Sequence, residues 1–224
     1  LTKSPPLLYN MGERSCGRVG GIMVYEKTEL NFLERDCILQ FGEKGGARIF
    51  RRASKLYAEL VVTTDYKNDR LLEKQLKGLV YPVIAYYKTL LAEGYREANA
   101  LGLVRTEVEK AAKNSGDILH AQTRKHFPFH AFRRNIKNFM AYKFPAGEWG
   151  CTPPKAKGGK VSFQIKECLY YTITRKFGCV ELCPVFCDYE NIAFKGLGPK
   201  IVCEREGELA TGHETCKFCF RKGK

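Results

Sequence analysis

The chain lacks a long hydrophobic run, and its acidic residues are few. No stretch reaches the roughly 18 apolar residues that a membrane span requires, so we expect no membrane segment. Residues 1–10 hold two prolines and no long apolar core, which argues against a signal peptide. Ten cysteines in 224 residues are far sparser than in a small disulfide-bonded secreted scaffold. The sequence therefore predicts a cytoplasmic protein whose cysteines are reduced.

Signatures of nucleic-acid binding are also missing, although the net charge is +14, with 38 Lys and Arg against 24 Asp and Glu. The basic residues are scattered, and no zinc-finger, helix-turn-helix or RNA-recognition motif accompanies them. The densest basic patch, 155–160, lies among prolines and glycines and is typical of a solvated turn. These features argue against a nucleic-acid partner. A positive field favours a small-molecule substrate that carries a carboxylate, and a homo-oligomer is compatible with this composition.

The hydrophobic period changes along the chain and indicates the fold class. Residues 1–25 contain two prolines and several glycines and are interpreted as an irregular lead-in. Apolar residues then recur every three or four positions over 26–145, whereas 160–224 is rich in cysteine and in strand-like alternation. Helices followed by strands are typical of an α+β domain. We predict one such domain over 26–224, with N-terminal helices packed on a C-terminal antiparallel sheet.

Several local signals predict where the helices end. The glycines from Gly42 to Gly46 predict a break before a helix over 47–62. In the next helix, Pro82 predicts a kink or a break near residue 80. Gly102 is interpreted as a helix stop. Thr106, with a glutamate three residues later, has the spacing of a capping box and predicts the start of a short helix that ends by Gly116.

The last predicted strand contains a Cys-x-x-Cys motif. The alternation of strand side chains argues against a metal site at this motif. Strands are predicted over 161–165, 200–206 and 214–221. If Cys216 faces inward with Phe218 and Phe220, Cys219 points to the other face of the sheet. The sequence therefore predicts that Cys216 belongs to a functional site and that Cys219 lies outside it.

Six of the ten cysteines are concentrated near the C-terminus, and packing alone does not require them: Cys179, Cys183, Cys187, Cys203, Cys216 and Cys219. Pro184 suits the first turn of a helix, which places Cys183 at the N-cap and Cys187 in the opening turns. Amide N–H groups at a helix start stabilise a thiolate and lower its pKa. Cys183 and Cys187 share one side of this helix, so they are either a nucleophile with its partner or two ligands of one metal.

Two motifs resemble the end of a known enzyme family. Residues 178–184 read Gly-Cys-Val-Glu-Leu-Cys-Pro and precede Cys187 and Asp188, while Arg205 precedes Leu-Ala-Thr-Gly at 209–212 and Cys-Lys-Phe at 216–218. This pattern resembles the L-2-amino-thiazoline-4-carboxylic acid hydrolase family, whose members carry a "G-C-P-E-L-x-P-x-x-C" segment with an acid just after it, then an arginine and "G-x-x-x-C-x-F". The resemblance is strong over roughly residues 160–220.

The resemblance implies a hydrolase that opens a cyclic amidine C–N bond, and it implies roles for several residues. Cys187 and Cys216 match the two motif cysteines, and Arg205 matches the arginine, which we expect to bind the substrate carboxylate. The acid position falls on Asp188 or Glu190. In the mechanism that we expect, the thiolate of Cys187, or else of Cys216, attacks the amidine carbon. Asp188 or His213 then moves protons, and Glu190 contributes to substrate binding.

Two other interpretations stay open. Cys179, Cys183, Cys187 and Cys216 are the candidate ligands if the protein holds zinc or an iron–sulfur cluster, although their spacing matches no standard cluster. The same scaffold could instead serve as a non-catalytic domain that binds a small ligand. Hydrolysis itself requires no cofactor.

Overall fold

The computed structural model describes residues 25–124 and 126–224. The predicted lead-in therefore lies outside the described residues, except for Tyr25. The chain divides into two compact units, one ending at Ala111 and the other beginning at Ala112 in the described region. That these act as one domain over 26–224 stays a prediction.

The described chain is α+β, with most of its helices before an antiparallel sheet, which confirms the predicted fold class. The α-helices are α1 (Leu33–Val62), α2 (Arg70–Gln75), α3 (Tyr81–Ala92), α4 (Glu97–Gln122), α5 (Pro128–Arg134), α6 (Ile136–Lys143), α7 (Leu169–Lys176) and α8 (Cys183–Lys195). The strands are β1 (Gly150–Cys151), β2 (Lys155–Lys157), β3 (Lys160–Glu167), β4 (Ile201–Glu206) and β5 (Cys216–Lys222). Among the helices described, each is too short or too polar to cross a membrane.

One of the predicted helix breaks is present as a kink. Helix α1 is kinked at Gly42, whose φ of 73° and ψ of 166° are not helical, while Gly46 lies within the helix again. Near Pro82 the helix is not broken, because a π-helical turn, Leu76–Val80, joins α2 to α3 without a gap. Proline has no N–H to donate and is tolerated in the first turn of a helix, which explains why α3 begins beside it.

The predicted stop at Gly102 and the predicted helix from Thr106 to Gly116 are wrong. Helix α4 runs without interruption through all three positions, and the hydroxyl of Thr106 donates to the carbonyl of Gly102 at 3.1 Å instead of capping a helix. Apolar residues of α4 at helical spacing are fully buried, such as Val104 and Val108. Their burial outweighs the cost of about 1 kcal/mol for a glycine inside a helix.

The sheet has the order β1-β3-β5-β4, with β2 pairing beside β1 on β3, and each of these pairs is antiparallel. The alternation predicted for the last strand is confirmed, since Cys216, Phe218 and Phe220 are buried while Lys217 is exposed. Cys219 is half-buried and, because strand side chains alternate, lies on the face opposite to Cys216.

An aromatic layer fixes helices on the inner face of this sheet. Phe163 of β3 stacks on Phe218 of β5 with ring centroids 5.3 Å apart. Phe139 of α6 and Phe194 of α8 contact Phe220 at centroid distances of 5.8 and 5.7 Å. Aromatic pairs of this kind contribute about 1 kcal/mol each beyond their buried area. The layer therefore holds α8 in a fixed position over the sheet.

The end of α8 touches α4 so closely that only glycine fits. A Cβ on Gly196 would lie 2.1 Å from the carbonyl oxygen of Gly116. We expect Gly196→Ala to lower the free energy of unfolding by about 3 kcal/mol, the upper range for overpacking, since both contacting groups are backbone. A Cβ on Gly102, in contrast, would meet no atom within 4 Å. Gly102→Ala is the matched control and should stabilise the protein by up to about 1 kcal/mol. Urea unfolding measures both, and equal midpoints would contradict the close contact.

Candidate active site

One face of α8 carries three of the residues singled out by the sequence. The helix begins at Cys183, and Pro184 lies in its first turn, so the N-cap is Leu182 and not Cys183 as predicted. Cys183, Cys187 and Glu190 are separated by four and three positions and thus project from one side of the helix. All three side chains are buried.

Arg205 of β4 brings a positive charge to this face. It pairs with Phe218 in the sheet, and its guanidinium carbon lies 5.7 Å from the centroid of that ring. Burial alone would lower the pKa of Arg205, but facing charges on Cys187, Glu208 and Cys216 outweigh it and raise the pKa. Arg205 Nη2 donates to Glu208. The guanidinium therefore stays protonated, with Cys187 and Cys216 as its sulfur neighbours.

Cys216 is held as a neutral thiol. Its Sγ accepts a hydrogen bond of 3.3 Å from the N–H of Leu209, in the loop between β4 and β5. Burial raises the pKa of Cys216, and this outweighs the opposing effect of the Leu209 N–H. Cys216 thus interacts electrostatically with Arg205 and Cys187, and its surroundings favour the protonated thiol.

Glu190 has one carboxylate oxygen that makes no hydrogen bond. Its Oε1 accepts from the hydroxyl of Tyr170 at 2.9 Å, while Nζ of Lys143 lies 3.6 Å from Oε2. The Glu190 side chain is only 5% exposed, and Oε2 has no hydrogen-bond partner. A buried acceptor without a hydrogen bond costs about 1–3 kcal/mol, which the ion pair with Lys143 offsets in part. Such an oxygen is suited to a ligand with an N–H group.

Cys168 belongs to the same group of sulfurs, and the sequence analysis missed it. It is the N-cap residue of α7, it is buried, and its side chain makes no capping hydrogen bond. The neighbouring thiol of Cys183 lowers the pKa of Cys168, and the backbone N–H groups of Tyr171 and Tyr170 add to this effect against the cost of burial. The signal that could have identified Cys168 is its position between a strand and the first turn of a helix.

The two predicted proton carriers lie at different places. Asp188 follows Cys187 in α8 and is half-buried, so it projects from a neighbouring side of the helix. His213 is exposed in the loop before β5, where its Nδ1 lies 3.1 Å from the hydroxyl of Thr211. Their catalytic roles stay predictions.

The metal alternative gains no geometric support in the described part of the chain. Its nine cysteines are free thiols. Within the same residues, no three or more His, Cys, Asp or Glu side chains are arranged to hold a metal ion. Cys183, Cys187 and Cys216 do share a neighbourhood, while Cys179 is buried at the start of the turn Val180–Leu182.

Comparison with known protein families gives a match over most of the chain. The family model for L-2-amino-thiazoline-4-carboxylic acid hydrolase matches residues 73–220. This range includes α8, Arg205 and both cysteines of the motifs. Searches of curated proteins and of solved structures found no match.

Proposed function

Because this chain belongs to the L-2-amino-thiazoline-4-carboxylic acid hydrolase family, we propose that it hydrolyses a ring C–N bond of a small cyclic amidine that carries a carboxylate. The family is one of hydrolases, and the finer assignment draws its support from the side chains around α8. The observation that carries it is the buried Oε2 of Glu190, which makes no hydrogen bond and whose ion pair with Lys143 is long, at 3.6 Å.

Glu190 binds the amidine. Its Oε2 is buried and makes no hydrogen bond, and Glu190 lies on the face of α8 that also carries Cys187, one turn earlier in the helix. An amidine offers N–H donors, and its protonated form adds a positive charge, so a carboxylate is its natural partner. The hydrogen bond from Tyr170 fixes the carboxylate through the other oxygen.

Arg205 binds the substrate carboxylate. A guanidinium has five N–H donors, and Glu208 accepts from only one of its two terminal nitrogens. Arg205 is almost fully buried, with a side-chain exposure of 7%, so a carboxylate paired with it is shielded from water. With its two ends bound by Arg205 and Glu190, the substrate presents its amidine carbon to the thiols.

Cys187 is the proposed nucleophile, and Cys216 is the neutral neighbour. The thiolate of Cys187 adds to the amidine carbon, and the ring C–N bond breaks as the ring nitrogen takes a proton from Asp188 or His213. Water then adds to the same carbon and returns a proton to that carrier. The bond between carbon and the Cys187 sulfur breaks last. The net change is the addition of one water molecule, which gives a carbamoyl group and a free amine.

Turnover of L-2-amino-thiazoline-4-carboxylate tests the proposal. Wild-type protein is expected to consume it and to release a primary amine without a new thiol, since C–N cleavage leaves the ring sulfur bonded to carbon. Glu190→Gln should lower kcat/KM by about 10²-fold, because a charged hydrogen bond becomes a neutral one. Glu206→Gln, at an exposed position of β4, is the matched control.

The possible outcomes separate the alternatives. A released thiol means that the C–S bond breaks and contradicts the C–N assignment. Binding of the compound without turnover supports the non-catalytic domain. Equal values of kcat/KM for Glu190→Gln and Glu206→Gln would show that Glu190 does not bind the substrate.

A further inference from the structure

The two charged residues that would bind the ends of the substrate are each paired with a charged side chain of the protein itself. Arg205 Nη2 donates to a carboxylate oxygen of Glu208. Nζ of Lys143 lies 3.6 Å from Oε2 of Glu190. All four residues belong to the compact unit that begins at Ala112 in the described region. This unit therefore holds two ion pairs whose charges cancel.

In each pair one side chain is buried and the other lies closer to solvent. The side chains of Glu190 and Arg205 are 5% and 7% exposed, whereas those of Lys143 and Glu208 are 15% and 30% exposed. Lys143 is the last residue of α6, and Glu208 lies in the loop between β4 and β5. The more exposed side chain can thus turn toward water while α8 and β4, which carry the buried ones, stay in place.

The ion pair at Glu190 is loose. Its separation of 3.6 Å is longer than a hydrogen bond, and Oε2 makes no hydrogen bond. Nζ of Lys143 also lies 5.8 Å from the ring centroid of Tyr189 and 5.6 Å from that of Phe194. These rings attract the ammonium group through their π electrons. Lys143 therefore keeps a favourable position when a ligand takes its place at Oε2.

The main chain at Glu208 is fixed, so that only its side chain has to move. The carbonyl oxygen of Glu208 accepts from the N–H of Thr211 at 3.0 Å and from the N–H of His213 at 3.2 Å. A ligand carboxylate can use the remaining N–H donors of Arg205, but two carboxylates at one guanidinium repel each other. Glu208 therefore weakens the binding of a carboxylate until its own side chain moves away.

We propose, resting on the hydrolytic function above, that Lys143 and Glu208 are internal counter-ions that select a zwitterionic substrate. A protonated amidine replaces Lys143 at Glu190, and a carboxylate replaces Glu208 at Arg205. A neutral group cannot make either exchange, because it would leave a buried charge without an ionic partner, which is strongly unfavourable. The substrate class is therefore a small ring with a cationic amidine at one end and a carboxylate at the other. Lys143 and Glu208 are its specificity-determining residues.

Binding of two matched ligands tests this selection without turnover. Cyclopentanecarboxamidine carries only the cation and cyclopentanecarboxylate only the anion, and neither contains the ring C–N bond that the proposed reaction breaks. Lys143→Met should tighten binding of the amidine by about tenfold and leave binding of the carboxylate unchanged, because the competing ammonium is gone. Glu208→Gln should tighten binding of the carboxylate by about tenfold and leave that of the amidine unchanged. Isothermal titration calorimetry at pH 8 measures the four dissociation constants.

The matched controls remove the same charges from the outer face of the sheet. Glu206 of β4 and Lys217 of β5 are cross-strand partners with exposed side chains. Strand alternation places them on the face opposite to Arg205 and Cys216. Glu206→Gln and Lys217→Met should therefore leave both dissociation constants unchanged. Lys143→Gln keeps an N–H donor without the charge and repeats the test if Lys143→Met does not fold.

Other results overturn the selection by internal counter-ions. An unchanged or weaker affinity of a variant for its own ligand contradicts it, since the removed charge then does not compete with that ligand. Tighter binding of both ligands to one variant means a general loosening of the site and contradicts it as well. If each variant affects only its own ligand but wild-type protein does not hydrolyse the thiazoline, the selection stands and the proposed reaction fails. If hydrolysis occurs without this crossed pattern, the reaction stands and the selection fails.

Discussion

Cys187→Ala is expected to lower kcat/KM for L-2-amino-thiazoline-4-carboxylate by about 10⁴-fold. The reason is that no covalent adduct can form without the sulfur, and bound substrate then depends on attack by water alone. Initial rates measure the loss. Acid quenching followed by intact-mass measurement should show wild-type protein carrying the mass of the substrate and Cys187→Ala protein without it.

A cysteine on the other face of the sheet provides the control for this experiment. Cys219 is half-buried on β5, and Cys219→Ala should keep full activity and the adduct. An adduct on Cys216 would move the nucleophile to the second motif cysteine. A Cys187→Ala rate within tenfold of wild type would exclude Cys187 as the nucleophile.

Arg205→Met is expected to lower kcat/KM by about 10³-fold, since it removes a buried, charge-assisted pair with the substrate carboxylate. Methionine has a similar length, so little volume is lost, although Glu208 also loses its partner. A thiazoline without the carboxylate separates the two effects. Wild-type protein should turn over this compound about as slowly as Arg205→Met turns over the carboxylate. Arg205→Met should turn over both compounds at similar rates.

The control for this change is an arginine of the same sheet at the surface. Arg221 pairs with Glu204, and both side chains are about half exposed, at 47% and 49%. Exposed pairs contribute about 1 kcal/mol or less, so Arg221→Met should leave turnover and discrimination unchanged. If Arg205→Met discriminates between the two compounds as strongly as wild type, the carboxylate is bound elsewhere.

Structural features that depend on a few neighbouring residues could be predicted from the sequence. The inward face of β5 follows from strict alternation, and a departure from regular α-helix before α3 follows from the missing N–H of Pro82. The family motifs around Cys187, Arg205 and Cys216 were also visible, because they depend on residue type and spacing in the chain. Signals of this kind are local, and burial elsewhere did not override them.

Local signals failed where tertiary packing had the larger free energy. Gly102 and Thr106 resemble a helix end and a helix start, yet the buried side of α4 carries the helix through both. The sequence by itself determined the order of helices and strands and the residues in the first turns of α8. Only the tertiary structure decided that Cys168 lies near Cys183 and that one oxygen of Glu190 makes no hydrogen bond, because both depend on how α7, α8 and the sheet pack together.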